Sequence, residues 1–389
     1  MATVLLARQL LTPLERIEDA ALIIDDGIIS AVGRRDAVEI PANARVVNFG
    51  DSILTPGLID LHVHGGAGHD VMEGSDESLA AIERMMARHG VTSYCPTTVT
   101  APLDKTLTAL DALSEAAKRA VSNGRCDSPR ARSLGIHLEG PFLSQARRGV
   151  HPSLYLQPPS VEMFDLMWDA AAGQVRVLTL APELDGALEL ISNASRRGVC
   201  VSIGHSNATL PQALAGIQAG ARHATHSFNA MRRLDHRDPG LIGAILTDRN
   251  VTADIIADGI HVDPVVVDLF MRTKGVDGAV LITDGISAIG MPDGIYKLGS
   301  FKVEVRGNRC ESHGKLAGSL LTLDRAVCNA MKFAQLSFQD GLRMATLNPA
   351  RVLHIQDCKG VLRAGADADI AVFSPAGEVL QTIVGGLLT

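Results

Sequence analysis

Between residues 58 and 282 the chain alternates eight short apolar runs with stretches of helix length. The runs are 58–63, 91–94, 134–138, 175–180, 199–203, 223–225, 251–256 and 279–282. Runs this short and this apolar predict strands buried on both faces, as in a parallel sheet. The segments between them include the amphipathic stretches 77–89, 103–121, 186–197, 211–219 and 264–273. Eight such units predict an α/β fold, a (β/α)8 TIM barrel. The run 223–225 is the shortest and most polar of the set.

The flanks have a different texture. Residues 20–24 and 28–32 bracket Asp25-Asp26-Gly27, and Asp-Gly supplies the positive φ of a tight hairpin turn. A further strand is expected at 45–49. Beyond the eighth run come a hairpin at 296–305 and a helix around 321–335. Two more helices follow, one starting at 342 and one entered through Asn348-Pro349-Ala350. The tail returns to strand texture at 365–373 and 378–384. Chain termini often meet in space. Residues 1–54 and 357–389 are therefore expected to form one small β-sandwich domain, with 55–356 as the barrel.

Composition narrows the partners. A net charge of −7 with no basic run argues against nucleic acid. No window reaches membrane-spanning length, and the apolar start is broken by Arg8 and Pro13, unlike a signal peptide. The six cysteines, Cys126 among them, are scattered with no C-x-x-C pair, which fits reduced thiols in a cytoplasmic protein.

The chemistry gathers where the runs end, the face on which barrel enzymes build their sites. The first run ends in His62 and His64, which share a face of a strand. The third ends at Glu139, the fifth at His205, the sixth at His226 and the eighth at Asp284. All are metal-ligand types, and their coincidence points to a divalent metal. Glu139, His205 and His226 would make a three-ligand site that leaves a position for water. His62 and His64 would hold a second ion, with Glu139 bridging. The plainer alternative for Glu139 is a carboxylate satisfied by backbone N–H groups from Gly140 onward. Asp284 is placed to take a proton from a metal-activated water, or else only caps the turn that follows it. His151 suits a donor to a substrate carbonyl, and Arg237 suits a phosphate or carboxylate. Taken alone, His151, Arg237 and His261 would each be surface decoration more often than not. Imidazole and carboxylate donors without thiolate accept zinc, iron, manganese, cobalt or nickel, with supply deciding and zinc the first expectation. One or two ions per subunit are expected.

The motifs carry a resemblance. They are Pro56-Gly-Leu-Ile-Asp-Leu-His-Val-His-Gly-Gly, Gly135-Ile-His-Leu-Glu-Gly-Pro-Phe, Arg148-Gly-Val-His-Pro, Gly204-His-Ser-Asn-Ala-Thr and Thr225-His-Ser-Phe-Asn-Ala-Met. Thr179-Leu-Ala-Pro-Glu, Ala257-Asp-Gly-Ile-His-Val, Thr283-Asp and Leu316-Ala-Gly-Ser add to them. Nearly end to end, the chain resembles the N-acetylglucosamine-6-phosphate deacetylase family of the amidohydrolase superfamily. The resemblance implies hydrolysis of N-acetylglucosamine 6-phosphate to glucosamine 6-phosphate and acetate, in amino-sugar catabolism or recycling. It implies Glu139, His205 and His226 as primary metal ligands, Asp284 as general base and acid, and His151 at the acetyl carbonyl. It implies Asn229, Ala230, Arg237 and His261 as sugar-phosphate contacts, the arginine reaching across a homodimer interface. Ser227-Phe228 departs from the Leu-Tyr common there.

Many superfamily members bridge two metals with a carboxylated lysine. Between Lys118 and Lys274 this chain has no lysine, which disfavours dihydroorotase- and hydantoinase-like centres. The rival readings are a metal amidohydrolase for another N-acetyl sugar phosphate or an N-acyl amino acid, and a non-catalytic barrel scaffold.

Overall fold

The computed structural model describes residues 2–122 and 129–388; Cys126 lies outside the described residues. All eight expected strands are present and parallel: Leu58–Val63, Val91–Thr98, Ile136–Glu139, Val175–Leu180, Cys200–Ile203, His223–Ala224, Thr252–Ile255 and Ala279–Leu281. They pair in sequence order. The ring closes where Val63 bridges Gly285 and the Asp284 N–H donates to the His62 carbonyl at 2.9 Å. The described barrel is thus the (β/α)8 architecture that the run count predicts.

The apolar runs are buried because both of their faces are covered. Every residue of Leu58–Val63 and of Val91–Thr98 is buried, one face toward the barrel axis and the other toward the helices. Side chains cap the starts of some of the helices. Ser75 accepts from the Ser78 N–H at the start of Asp76–Arg88, and Asp263 accepts from the Val265 N–H before Pro264–Lys274. The sixth strand can be polar because its polarity is satisfied internally. His223 Nδ1 lies 2.7 Å from Thr252 Oγ1, and its Nε2 lies 3.1 Å from Asp254 Oδ2.

Strands from both ends of the chain form a separate eight-stranded sheet. Ile370–Phe373 runs antiparallel to Ile53–Pro56, which lies parallel to the second half of Thr3–Leu11. The expected hairpin joins Arg16–Asp25 to Ile28–Arg34. Leu5, Leu22, Ile29, Leu54, Ile370 and Val372 belong to one buried cluster, so the ends are held together by shared apolar burial.

Gly57 marks the passage from this sheet into the barrel. A Cβ there would lie 2.2 Å from the Thr92 side chain. Gly57→Ala is expected to destabilise the protein by roughly 1–3 kcal/mol through overpacking, read as a lower urea midpoint at unchanged slope.

One region is larger than expected. The hairpin at 296–305 is part of a four-stranded antiparallel sheet: Gly294–Leu298, Phe301–Arg306, Arg309–Ser312 and Lys315–Leu316. It packs on the barrel through Val99, Ile286, Leu298 and Val303. Hydrogen bonds fix one edge of it. The Gly299 N–H donates to Asp70 Oδ2 at 2.7 Å, and the Ser287 hydroxyl donates to the Lys297 carbonyl at 2.6 Å. No helix of the described residues is long and apolar enough to cross a membrane.

Candidate metal centre and active site

The five strand ends converge on one buried point. Glu139 is at the middle, 2% exposed. Its Oε1 is 3.2 Å from His205 Nε2, 3.2 Å from His226 Nε2 and 3.5 Å from His62 Nε2. Its Oε2 is 3.3 Å from His151 Nε2 and 3.5 Å from His64 Nε2. Asp284 Oδ1 closes the other side, 3.2 Å from His64 Nε2 and 3.5 Å from His62 Nε2.

Backbone conformation aims these side chains. His205 (φ 47°), His226 (φ 31°) and Asp284 (φ 49°) all have positive φ, unusual for residues with a Cβ. Each turns the chain sharply at its strand end. Buried carboxylates hold two of these turns. Asp254 accepts from the His226 N–H. Asp60 Oδ2 accepts from the Thr283 hydroxyl at 2.6 Å, and its Oδ1 accepts from the N–H groups of His62 and Thr283. Glu183 does the same for the His205 loop, accepting from the Asn207 N–H at 2.6 Å and the Ser206 hydroxyl at 2.7 Å.

Hydrogen bonds to the far ring nitrogens sort the histidines. His64 Nδ1 faces the Thr97 carbonyl at 2.9 Å, and His205 Nδ1 faces the Arg147 carbonyl at 3.1 Å. A carbonyl only accepts, so each Nδ1 carries a proton and each Nε2 is the atom turned to the centre, where it holds either a proton or a metal. His151 is the reverse. Its Nδ1 accepts from the Thr100 N–H at 3.3 Å, which leaves the proton on Nε2. His64 and His205 therefore offer Nε2 to a cation, and His151 turns an Nε2–H to the centre.

Lone pairs that face carboxylates and one another need a cation between them. His226 Nε2 and His205 Nε2 are 3.0 Å apart, and His62 Nε2 and His64 Nε2 are 3.2 Å apart. The ligand-type atoms of His62, His64 and Asp284 lie within 4.8 Å of one another, as do those of Glu139, His151 and His205, although His151 turns an N–H to the centre and not a lone pair. An imidazole and carboxylate set with an open side suits a divalent transition metal.

The electrostatics agree. Burial opposes charge on Glu139, but His62 and the hydrogen bonds of His151 and His205 outweigh it and hold the carboxyl well below its usual range. Asp284 is likewise held down against burial, by the hydrogen bond to His64 and the charges of His62 and His64. His64 is raised to about 9 despite burial, by Asp284 and Glu139, and His226 to about 9 despite burial, chiefly by Glu139. Burial pushes His205 down to about 4. Carboxylates stay ionised here and draw positive charge, whether protons or metal, onto the rings.

A cavity of about 290 Å³ opens over the centre. Asn229, Ala230 and His261 line it, with His261 Nδ1 2.7 Å from Asp258 Oδ2. Leu298, Lys315 and Leu316 of the four-stranded sheet line it too. Arg237 is exposed and is not among the lining residues of this single chain. In the sequence, Asp60 and Glu183 stand within motifs but without a role, and neither Asp254 nor Lys315 is singled out. Asp60 and Asp254 had a readable signal, an acid inside an apolar strand, which is costly unless partnered.

Comparison with known proteins decides the family. The amidohydrolase family profile matches residues 53–388, most of the chain. The chain belongs to the amidohydrolase family. Within that family it is 37% identical to the N-acetylglucosamine-6-phosphate deacetylase of Bacillus subtilis, over 97% of this chain and 94% of the relative. It is also 37% identical to the N-acetylgalactosamine-6-phosphate deacetylase of Escherichia coli O157:H7, over 100% of this chain and 99% of the relative. Among solved amidohydrolases, an aspartate-to-alanine variant of the Mycobacterium smegmatis N-acetyl-D-glucosamine-6-phosphate deacetylase, in complex with N-acetyl-D-glucosamine-6-phosphate, superposes with a TM-score of 0.91. The two are 34% identical, and the match covers 100% of this chain and 99% of that one.

Proposed function

We propose that this amidohydrolase removes the acetyl group of N-acetylglucosamine 6-phosphate, giving glucosamine 6-phosphate and acetate. The observation that carries the reading is the convergence of Glu139, His205, His226 and Asp284 under a cavity lined by Asn229, Ala230 and His261. Similarity to sugar-phosphate deacetylases along nearly the whole chain supports it. Acetate release from the phosphorylated sugar by the zinc-loaded protein is the direct test. No release from either sugar epimer would overturn it.

Glu139, His205 and His226 would hold the primary ion and His62 with His64 a second, with zinc the first metal to test among those that imidazole and carboxylate accept. When bound, the metal supplies Lewis acidity, lowering the pKa of water and polarising a carbonyl. The rest falls to the chain's own groups. Asp284, ionised and facing the cavity, takes the proton of the attacking water. Its later transfer to the sugar nitrogen lets the amine leave. His151 Nε2–H donates to the carbonyl oxygen as charge develops there, a role that the Thr100 contact fits. Asn229, the Ala230 backbone and His261 position the sugar phosphate.

A second reading is the C4 epimer, N-acetylgalactosamine 6-phosphate, because a relative named for it is as similar as one named for the glucose form. The ratio of kcat/KM for the two epimers separates them.

A homodimer with Arg237 completing the neighbouring site is part of the proposal. It is supported by the arginine's exposure and its place outside its own cavity. Arg237→Ala is expected to raise KM for the sugar phosphate by about tenfold or more with little change in kcat, as loss of a charge-assisted contact predicts. An unchanged KM, or a monomer at assay concentration, would remove Arg237 from the site.

A further inference from the structure

The described cavity walls contain only one Lys or Arg, Lys315. It sits on the covering sheet, directly after a two-residue turn at His313 (φ 51°) and Gly314 (φ 73°). Positive φ at both turn residues makes a tight hairpin that fixes the backbone of the strand it starts. Lys315 pairs with Ser312 and Leu316 with Glu311, so the short strand Lys315–Leu316 runs along the cavity.

The ammonium group of Lys315 makes no hydrogen bond or ion pair among the described residues. Other cations near the mouth are engaged. Arg147 Nε donates to Asn207 Oδ1 at 3.0 Å, and Arg148 Nη1 donates to the His151 carbonyl at 2.5 Å. Arg232 is paired with Asp238, and the ring of His261 is tied to Asp258. Lys315 is the one lysine or arginine of the described lining, and its ammonium group is unengaged among the described residues.

The cavity floor holds two carboxylates, Glu139 and Asp284. A phosphate monoester near neutral pH carries about −1.5 to −2 charges. Such a ligand is favoured where a cation meets it, away from these two carboxylates. A lysine on a flexible stem, with three donors and no competing partner, suits that task.

We propose that Lys315 is an anion anchor for the substrate phosphate, supplied by the covering sheet of the same chain, and that it sets the preference for phosphorylated over unphosphorylated amino sugar. The assignment rests on the sugar-phosphate reading of the site. No residue of the strand-end cluster is needed for it, and it is separate from any arginine contributed by a second chain.

The test is Lys315→Met, with Lys315→Arg as the rescue. For the methionine variant, KM for N-acetylglucosamine 6-phosphate rises about tenfold while kcat stays within about twofold, as loss of uniform binding requires. The ratio of kcat/KM for phosphorylated over unphosphorylated N-acetylglucosamine falls by the same factor, and Lys315→Arg restores most of it. Added salt narrows the gap between wild type and variant, because screening weakens a rim charge. An equal loss on both substrates, or an unchanged ratio, overturns the assignment. Calorimetric binding of glucosamine 6-phosphate against glucosamine reads the same preference without turnover. A wild-type protein that binds the phosphorylated sugar yet releases no acetate sinks the proposed function. A preference that survives Lys315→Met in the binding assay sinks only the anchor.

Discussion

Asp284→Asn leaves the metal bound and lowers kcat by a factor of about 1000 or more, in the range expected for loss of a general acid–base. The reason lies in the site's charge. Asp284 faces the cavity and is kept ionised by His62 and His64, so it is ready to accept a proton where water would attack. Asparagine keeps the shape and can still accept a hydrogen bond, but it cannot carry the proton to the leaving amine. Metal content and kcat measured on one preparation decide the outcome. Full turnover would remove Asp284 from the proton path. Loss of metal would make it a ligand, in company with His62 and His64.

Glu139→Gln has a different signature: both metal and activity are lost. One carboxylate lies within 3.5 Å of five imidazole nitrogens. Its negative charge offsets the positive charge that burial would otherwise expel from these rings. A neutral amide removes a ligand and leaves His64 and His226 less able to hold either a proton or a metal. Bound metal is expected to fall to about a tenth of wild type or less, with kcat/KM down by about 10⁴. Changing His62 and His64 together to Ala is expected to cost only about 10–100-fold, because the triad on strands three, five and six would remain. The reverse ranking would place the essential ion at the first strand.

The barrel was legible because burial on both faces leaves apolar runs that no surface strand needs, and there were eight of them. Even His223–Ala224 could be placed, since the turn after it carries His226. The site was legible in part for the same reason: a polar residue closing an apolar run is costly unless it has work to do. What escaped was whatever depends on distance in space. Glu183 props the His205 loop from another strand's turn, and its neighbours in sequence give no hint of it. The proton position on His151 follows from the Thr100 N–H, which lies 51 residues away. The covering sheet was read as one hairpin because Arg309–Ser312 and Lys315–Leu316 are too short to give a strand pattern.

That sheet is fastened unevenly. Just beyond its last strand, the Ser319 N–H donates to the Asp284 carbonyl at 2.8 Å, and the Ser319 hydroxyl donates to the Thr283 carbonyl at 2.5 Å. Its turns at Gly307 and Gly314 stand free, with nothing within 4 Å of a Cβ built at either. Laboratory insertion is therefore expected to be tolerated at the turns and resisted at the fastened edge, while the two glycines themselves are held by their positive φ. Lys315 is next to a free turn and Asp284 is bound to the fixed edge. Substrate choice can thus be rewritten over one end of a small sheet while the proton-transfer chemistry at the other end stays in register.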